Sequence, residues 1–181
     1  MTLDEIIKSR RSIRKYQDKT VPRELIEQCL EAARLAPSAC NSQPCRFVIL
    51  DDKATKNSFC ENVFTGLYAN CKNLGMNASV LIAVCTKAGG NITTRLGQVI
   101  SGTKFYLIDT GIAVEHLVLK AQDLGLGTCW IGWFNTKKAK KFLKLPFDVK
   151  CEILIALGYP DEEPSPRPRK EFKDIISYNK Y

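Results

Sequence analysis

The chain has 181 residues, of which 45% are hydrophobic and 25% are charged, and its formal net charge is +8. Such a chain can bury a substantial core, so we expect one domain over residues 1–181 and exclude an intrinsically disordered protein. No apolar run approaches the roughly 20 residues of a membrane helix, and the charged N-terminus does not resemble a secretory signal. We therefore expect a cytoplasmic protein without a membrane partner, whose positive charge favours anionic partners.

The first part of the chain predicts helices around one strand. Apolar residues at helical spacing predict a short helix that starts near Leu3 and a second helix between Pro22 and Pro37. Residues 46–50 are typical of a strand, and a further helix is predicted over about residues 53–64.

Two strongly hydrophobic segments follow. Residues 80–85 form a continuous apolar run with several β-branched residues, which predicts a central strand buried on both faces. Residues 104–124 predict a long helix that is apolar on most sides and must be buried on more than one face. Gly111 in this helix costs about 1 kcal/mol relative to alanine, which is reasonable where another backbone approaches closely.

The remaining elements complete the prediction of a sheet covered by helices. Gly125 and Gly127 end the long helix, and residues 128–131 predict a strand. A basic helix over about residues 136–143 and an apolar strand at 151–157 follow. Helices and strands mixed in this order indicate an α/β or α+β sandwich.

Two basic clusters lie far apart in the sequence. The first contains Arg10, Arg11, Ser12 and Arg14, and the second runs from Arg167 through Arg169 to Lys170. Guanidinium groups match phosphate oxygens and a serine hydroxyl adds a donor, so either cluster could hold a phosphorylated ligand. Taken alone, arginine runs are more often solvated surfaces.

Motifs between the clusters change that balance. The run Pro37-Ser38-Ala39-Cys40-Asn41-Ser42-Gln43-Pro44 would by itself be an ordinary helix-to-strand loop. It resembles the nitroreductase family when it is taken together with the two clusters and with residues 125–132 and 155–160. These elements occur in the order of the family and at roughly its spacing. The resemblance spans almost the whole chain and implies the nitroreductase-like fold, a central mixed β-sheet flanked by helices in a homodimer.

The resemblance also implies a cofactor and its site. Members bind FMN at the subunit interface and pass reducing equivalents from NADH or NADPH to a small organic acceptor such as a nitroaromatic or a quinone. By position, the first cluster and Arg167 and Arg169 contact the phosphate end of FMN, while the partner subunit supplies a loop that lines the flavin. The carried-over residues are Arg10, Arg11, Ser12, Arg14, Arg167 and Arg169; Pro37, Ser38, Ala39, Asn41 and Gln43 in the loop; and Cys129, Ile131 and Gly132 along the ring.

The sequence assigns no catalytic side chain. Arg14 or Arg10 is the candidate for stabilising negative charge on the reduced ring. His116 is expected to be a helix-face residue, and Cys129 to be a packing residue because no histidine lies near it in sequence. The eight cysteines are expected to be free thiols, and no familiar zinc spacing occurs, so no metal site is predicted.

Two other functions compete with the oxidoreductase interpretation. The first alternative is a protein that stores or senses FMN without turnover. A nucleic-acid-binding module is disfavoured because the arginines are not interleaved with aromatic residues and no reader motif is visible. The lysine-rich segment 137–144 is interpreted as a solvated helix face.

Overall fold

The computed structural model of the protein describes residues 1–87 and 92–181. The helices in these ranges are α1 (Leu3–Ser9), α2 (Arg23–Arg34), α3 (Lys53–Val63), α4 (Lys72–Asn77), α5 (Ile92–Ser101), α6 (Phe105–Asp123) and α7 (Thr136–Phe142). The strands are β1 (Cys45–Leu50), β2 (Val80–Lys87), β3 (Gly127–Ile131) and β4 (Val149–Gly158). Short 3₁₀ turns occur at Ala39–Asn41, Gly66–Cys71 and Phe172–Asp174.

The four strands form one sheet in the order β1-β2-β4-β3. Every neighbouring pair is antiparallel, whereas a mixed sheet was expected. In the described ranges, parallel pairing is limited to an isolated bridge between Ser12 and Thr128. Strand β2 is central and buried on both faces, as its continuous apolar sequence predicts.

Helices cover the sheet on both faces, which gives an α+β sandwich with two hydrophobic clusters. On one face α2 and α6 pack against the sheet and bury residues such as Ile26, Cys29 and Leu117. On the other face α3, α4 and α7 enclose a cluster that contains Phe59 and Ala139. Since α6 packs against α2, α1 and the sheet, its widely apolar sequence is explained.

Gly111 does not serve the close approach that its position in α6 suggested, at least within one chain. A Cβ atom built at Gly111 has no described atom within 4 Å. Nearby on the same helix, Leu107 and Ile108 are 41% and 52% exposed. This part of α6 therefore has room for a contact that the single chain does not provide.

Helix α4 depends on a buried lysine. The Nζ of Lys56, a residue that is only 3% exposed, donates hydrogen bonds to the carbonyl oxygens of Met76 (2.8 Å) and Ala78. These carbonyls lie at the C-terminal end of α4, where the helix cannot supply its own donors. Burial lowers the pKa of Lys56, because desolvation disfavours the charged form.

The N-terminal segment after α1 is fixed to the edge strand β3. The Ile13 N–H donates to the Thr128 carbonyl at 2.9 Å, and the Ile13 side chain is buried against Gly127. A Cβ atom at Gly127 would lie 2.7 Å from Ile13 Cγ1, which is too close for two carbon atoms. The missing side chain at Gly127 thus allows the basic N-terminal cluster to lie along the sheet. Among the described residues, no helix is long and apolar enough to cross a lipid bilayer.

Gly127→Ala should lower the free energy of unfolding by about 1–3 kcal/mol, because the new methyl group overpacks the contact with Ile13. Urea denaturation followed by circular dichroism measures the change. The matched control is Gly132→Ala, whose Cβ would meet Ile153 Cδ1 at an ordinary 3.5 Å and should alter stability by less than about 0.5 kcal/mol. Equal stabilities of the two variants would contradict this account of the Gly127 contact.

Candidate functional site

Six cationic side chains from the two ends of the chain line one cavity of about 400 Å³. The N-terminal side of the cavity comes from the end of α1 and the segment after it, and the other side from residues 164–169. No carboxylate occurs among these described lining residues. They are Ile7, Lys8, Arg10, Arg11, Ser12, Arg14, Pro164, Ser165, Pro166, Arg167 and Arg169.

The N-terminal wall alternates between buried and exposed side chains. Ser12 pairs with Thr128 of β3, Ile13 turns into the core, and Arg14 is exposed on the cavity side. Arg10 ends α1 and lies 3.8 Å from Glu115 of α6, in a partly exposed ion pair. The extended backbone along β3 thus directs the basic side chains into the cavity while one residue between them anchors the segment.

Most of these guanidinium groups contact backbone carbonyls instead of carboxylates. Arg11 donates to the Lys8 and Arg10 carbonyls at 2.7 and 2.8 Å, and Arg14 donates to the Ser12 carbonyl at 3.2 Å. Arg169 donates to the Arg167 carbonyl at 3.3 Å. A carbonyl oxygen orients a guanidinium but does not neutralise it. The cavity is therefore strongly electropositive and suits a phosphate group.

The C-terminal wall follows directly from β4. Tyr16 forms an antiparallel bridge with Pro160, and the Gln17 N–H donates to the Tyr159 carbonyl at 3.0 Å. The buried Tyr16 hydroxyl donates to the Ile13 carbonyl at 2.6 Å, and burial raises its pKa well above the usual value for tyrosine. These contacts place the end of β4 beside the basic N-terminal segment, so that residues 164–169 begin next to it.

The proline-bounded loop after α2 is held by one buried carboxylate. Asp109 of α6, 4% exposed, accepts hydrogen bonds from the Ala39 N–H at 3.0 Å and from the Ser42 hydroxyl at 3.3 Å. Ser38 Oγ accepts a hydrogen bond from the Gln43 N–H at 3.0 Å. Cys40, Asn41 and Gln43 all have positive φ angles, near +50°, which gives the loop a tightly folded shape. Its conformation is therefore determined by contacts with α6.

Within one chain this loop does not reach the arginine cavity. Pro37, Ser38 and Gln43 line a different cavity of about 380 Å³, next to α2, β1 and α6. The Asn41 and Gln43 side chains are exposed, and Gln43 Nε2 donates to Asn41 Oδ1 at 3.1 Å. The structure thus brings together the predicted residues at the two ends of the chain but separates them from the predicted loop residues.

The predicted residues on β3 have mostly buried side chains. Cys129 and Ile131 are 4% and 2% exposed and pack into the core. Only their backbone is therefore available to a ligand, whereas Gly132 is exposed at the end of the strand. Burial also raises the pKa of the Cys129 thiol, which keeps it protonated near neutral pH. Trp130, between them, points the other way and is 36% exposed.

His116 and two aromatic residues after β3 do not line the cavity. His116 is on the face of α6 toward α2, with Nδ1 3.3 Å from the Ala32 carbonyl. Trp133 is exposed and donates to the Leu67 carbonyl at 3.0 Å, whereas Phe134 is buried in the core. In the parts of the chain that the structure describes, no three metal-ligating side chains lie together.

The family of the chain can be identified from its sequence. The model of the Nitroreductase family matches residues 7–159. The chain belongs to the nitroreductase family. The family prediction from the sequence is therefore confirmed, and so is the nitroreductase-like fold.

Individual proteins resemble the chain over most of its length. An NADH dehydrogenase of Thermus thermophilus is 30% identical over 192 residues, covering 92% of this chain and 91% of that protein. An FMN reductase [NAD(P)H] of Bacillus subtilis is 29% identical over 185 residues, which cover 92% and 70%. The crystal structure of a nitroreductase family protein from Clostridium novyi superposes with a TM-score of 0.77 at 31% identity, covering 91% of this chain and 89% of that one.

Three residues that contact the candidate site or its loop were not singled out from the sequence as site residues. Asp109 and Glu115 interrupt the apolar pattern of α6, and each contacts one of the two predicted regions. For Asp109, which is buried, the carboxylate is a signal, because a charged group is buried only where it has partners. Tyr16, by contrast, has no signal in the sequence, since its role depends on the pairing with Pro160.

Asp109→Ala should release the loop, because two hydrogen bonds to a charged acceptor are lost. We expect faster amide hydrogen exchange over residues 39–42 and a free energy of unfolding lower by about 1–3 kcal/mol. Asp109→Asn keeps an oxygen that can accept a hydrogen bond from the Ala39 N–H, so its free energy of unfolding should fall by less. Unchanged exchange in the alanine variant would show that the loop is fixed by other contacts.

Proposed function

We propose that the protein is an FMN-dependent oxidoreductase that passes reducing equivalents from NADH or NADPH to a small organic acceptor such as a nitroaromatic or a quinone. The observation that carries the proposal is a cavity lined by six cationic side chains from both ends of the chain. No carboxylate occurs among its described lining residues. Family membership and the relative named FMN reductase [NAD(P)H] support the cofactor and the donor.

The residues of the cavity fit the phosphate end of FMN. Arg10, Arg14 and Arg167 are candidates to contact the phosphate, because a dianion needs several donors and guanidinium groups supply them in pairs. Ser12 adds a hydroxyl donor at the edge of β3. The cavity supplies cations and a hydroxyl group, so the fit is to the charged part of the cofactor.

A second subunit would supply the missing surface. The loop at residues 37–43 is held by Asp109 and partly exposed, but it lines a different cavity in its own chain. Exposed Leu107 and Ile108 and the open space beside Gly111 provide a surface on α6 where a second copy could pack. We infer a homodimer with two-fold symmetry in which each FMN is held by the arginines of one chain and the loop of the other.

In this mechanism the side chains of the protein bind and orient the cofactor. When bound, FMN supplies the redox chemistry, because flavins accept electrons from nicotinamides and pass them to a second substrate. Arg10 and Arg14 place positive charge near the site, which would stabilise the negative charge that reduction adds to the flavin ring. Glu115 lies beside Arg10, and the Ser12 carbonyl accepts a hydrogen bond from Arg14, so both side chains have a partner close to the cavity.

Anaerobic titration tests the function. Protein loaded with FMN should lose its flavin absorbance on addition of NADH or NADPH and regain it when a nitroaromatic or quinone is added. A protein that only stores FMN would keep its absorbance. Protein that binds no FMN would contradict the proposal altogether.

Arginine variants in the same assay test the site. Arg167→Ala should weaken FMN binding by about 10- to 100-fold, as expected for the loss of charge-assisted hydrogen bonds. The control is Arg23→Ala, because Arg23 pairs with Asp51 outside the cavity. Equal FMN affinities in the two variants would place the phosphate elsewhere.

Ile108→Glu should convert the proposed dimer into monomers, because a charge would be buried in an apolar interface. Sedimentation velocity at several protein concentrations measures the mass. Phe147→Glu is the control, since Phe147 is 97% exposed on a different part of the surface. A monomeric wild-type protein would contradict the shared site.

A further inference from the structure

In the described part of the chain, the carboxylate of Glu162 joins the two walls of the cavity. Glu162 Oε1 accepts hydrogen bonds from the backbone N–H groups of Arg14 (2.5 Å) and Lys15 (3.2 Å). Arg14 belongs to the N-terminal wall, and Glu162 lies two residues before Pro164, where the C-terminal wall begins. The side chain is partly buried between them.

The contacts of the C-terminal segment change at this residue. Up to Glu162, the chain after β4 is held by backbone hydrogen bonds, including the Asp161 N–H to the Lys15 carbonyl at 3.0 Å. Among the described residues, no hydrogen bond or ion pair connects residues 163–181 with the rest of the protein. The positions of Arg167 and Arg169 therefore depend on where Glu162 holds the backbone that leads to them.

We propose that Glu162 is a positioning residue that sets the separation of the two arginine clusters and thereby the affinity for FMN. This inference rests on the proposed function. The role belongs mainly to the length of the side chain and its acceptor oxygen, which decide whether it reaches both backbone amides. Its negative charge strengthens these hydrogen bonds but, so near an anionic ligand, opposes binding, and the two effects offset each other.

Charge and reach can be separated by three substitutions. Glu162→Gln keeps the length and an acceptor oxygen, so FMN affinity should stay at or slightly above the wild-type level. Glu162→Asp keeps the charge but is one methylene shorter, and Glu162→Ala loses both. These two variants should bind FMN about tenfold more weakly, the effect expected for losing hydrogen bonds to backbone groups. Glu163→Ala, which removes the neighbouring carboxylate, is the control and should behave as wild type.

Two measurements distinguish positioning from general destabilisation. The turnover number at saturating FMN should be unchanged in the Asp variant, while the dissociation constant of FMN rises. In protein without flavin, the amides of Arg14 and Lys15 should exchange faster in the Asp and Ala variants but not in the Gln variant. Circular dichroism confirms that each variant is folded, and the Asp variant replaces the Ala variant if the latter is not.

The outcomes separate this inference from the function itself. A weakened Gln variant with a normal Asp variant would overturn it, because charge and not reach would then matter. So would wild-type amide exchange in both the Asp and Ala variants. Wild-type protein that takes up no FMN would contradict the proposed function, and the exchange rates would then decide alone whether Glu162 joins the two walls.

Discussion

The alignment of the N-terminal segment along β3 and the end of β4 is the contact on which the site depends. It combines the Ser12–Thr128 bridge, the buried Ile13 and the Tyr16–Pro160 bridge. Bringing several like charges into one cavity is unfavourable, and the repulsion must be balanced by other contacts. The backbone pairing and the packing against Gly127 supply that balance, because they involve no charged atoms. The basic side chains are thus placed by neutral parts of the chain.

Helix α6 also contains residues that hold other parts of the chain in place. Asp109 holds the loop at residues 39–42, and Glu115 orients Arg10, so acidic groups of one helix act on two separate regions. Helix α6 therefore connects the core to both candidate binding surfaces. Its apolar residues bury it against α2 and the sheet, while its few carboxylates lie where a loop or a basic segment needs an acceptor.

The sequence predicted most of the fold because hydrophobic periodicity reports burial directly. The continuous apolar run at residues 80–85 predicted a central strand, and the helix at 104–124 was correct to within one residue at each end. Helices α4 and α5 had not been predicted. The segment before β2 lacks a clear periodicity, and α4 is stabilised by Lys56 from another helix, which a local pattern cannot show. The antiparallel sheet order was also beyond the sequence, since pairing between distant strands leaves no local signal. Within the candidate site, the resemblance to the family singled out the arginine clusters, which residue type alone did not, whereas Glu162 and Tyr16 act through contacts with distant residues.

The cavity takes one wall from residues 7–14 and the other from residues 164–169, which are separated by nearly the whole polypeptide. During synthesis on the ribosome, the second wall emerges after all four strands and all seven described helices have been made. A phosphate can contact both walls only after that point, so any anion held by both ends of the chain binds after the residues of the sandwich have been synthesised.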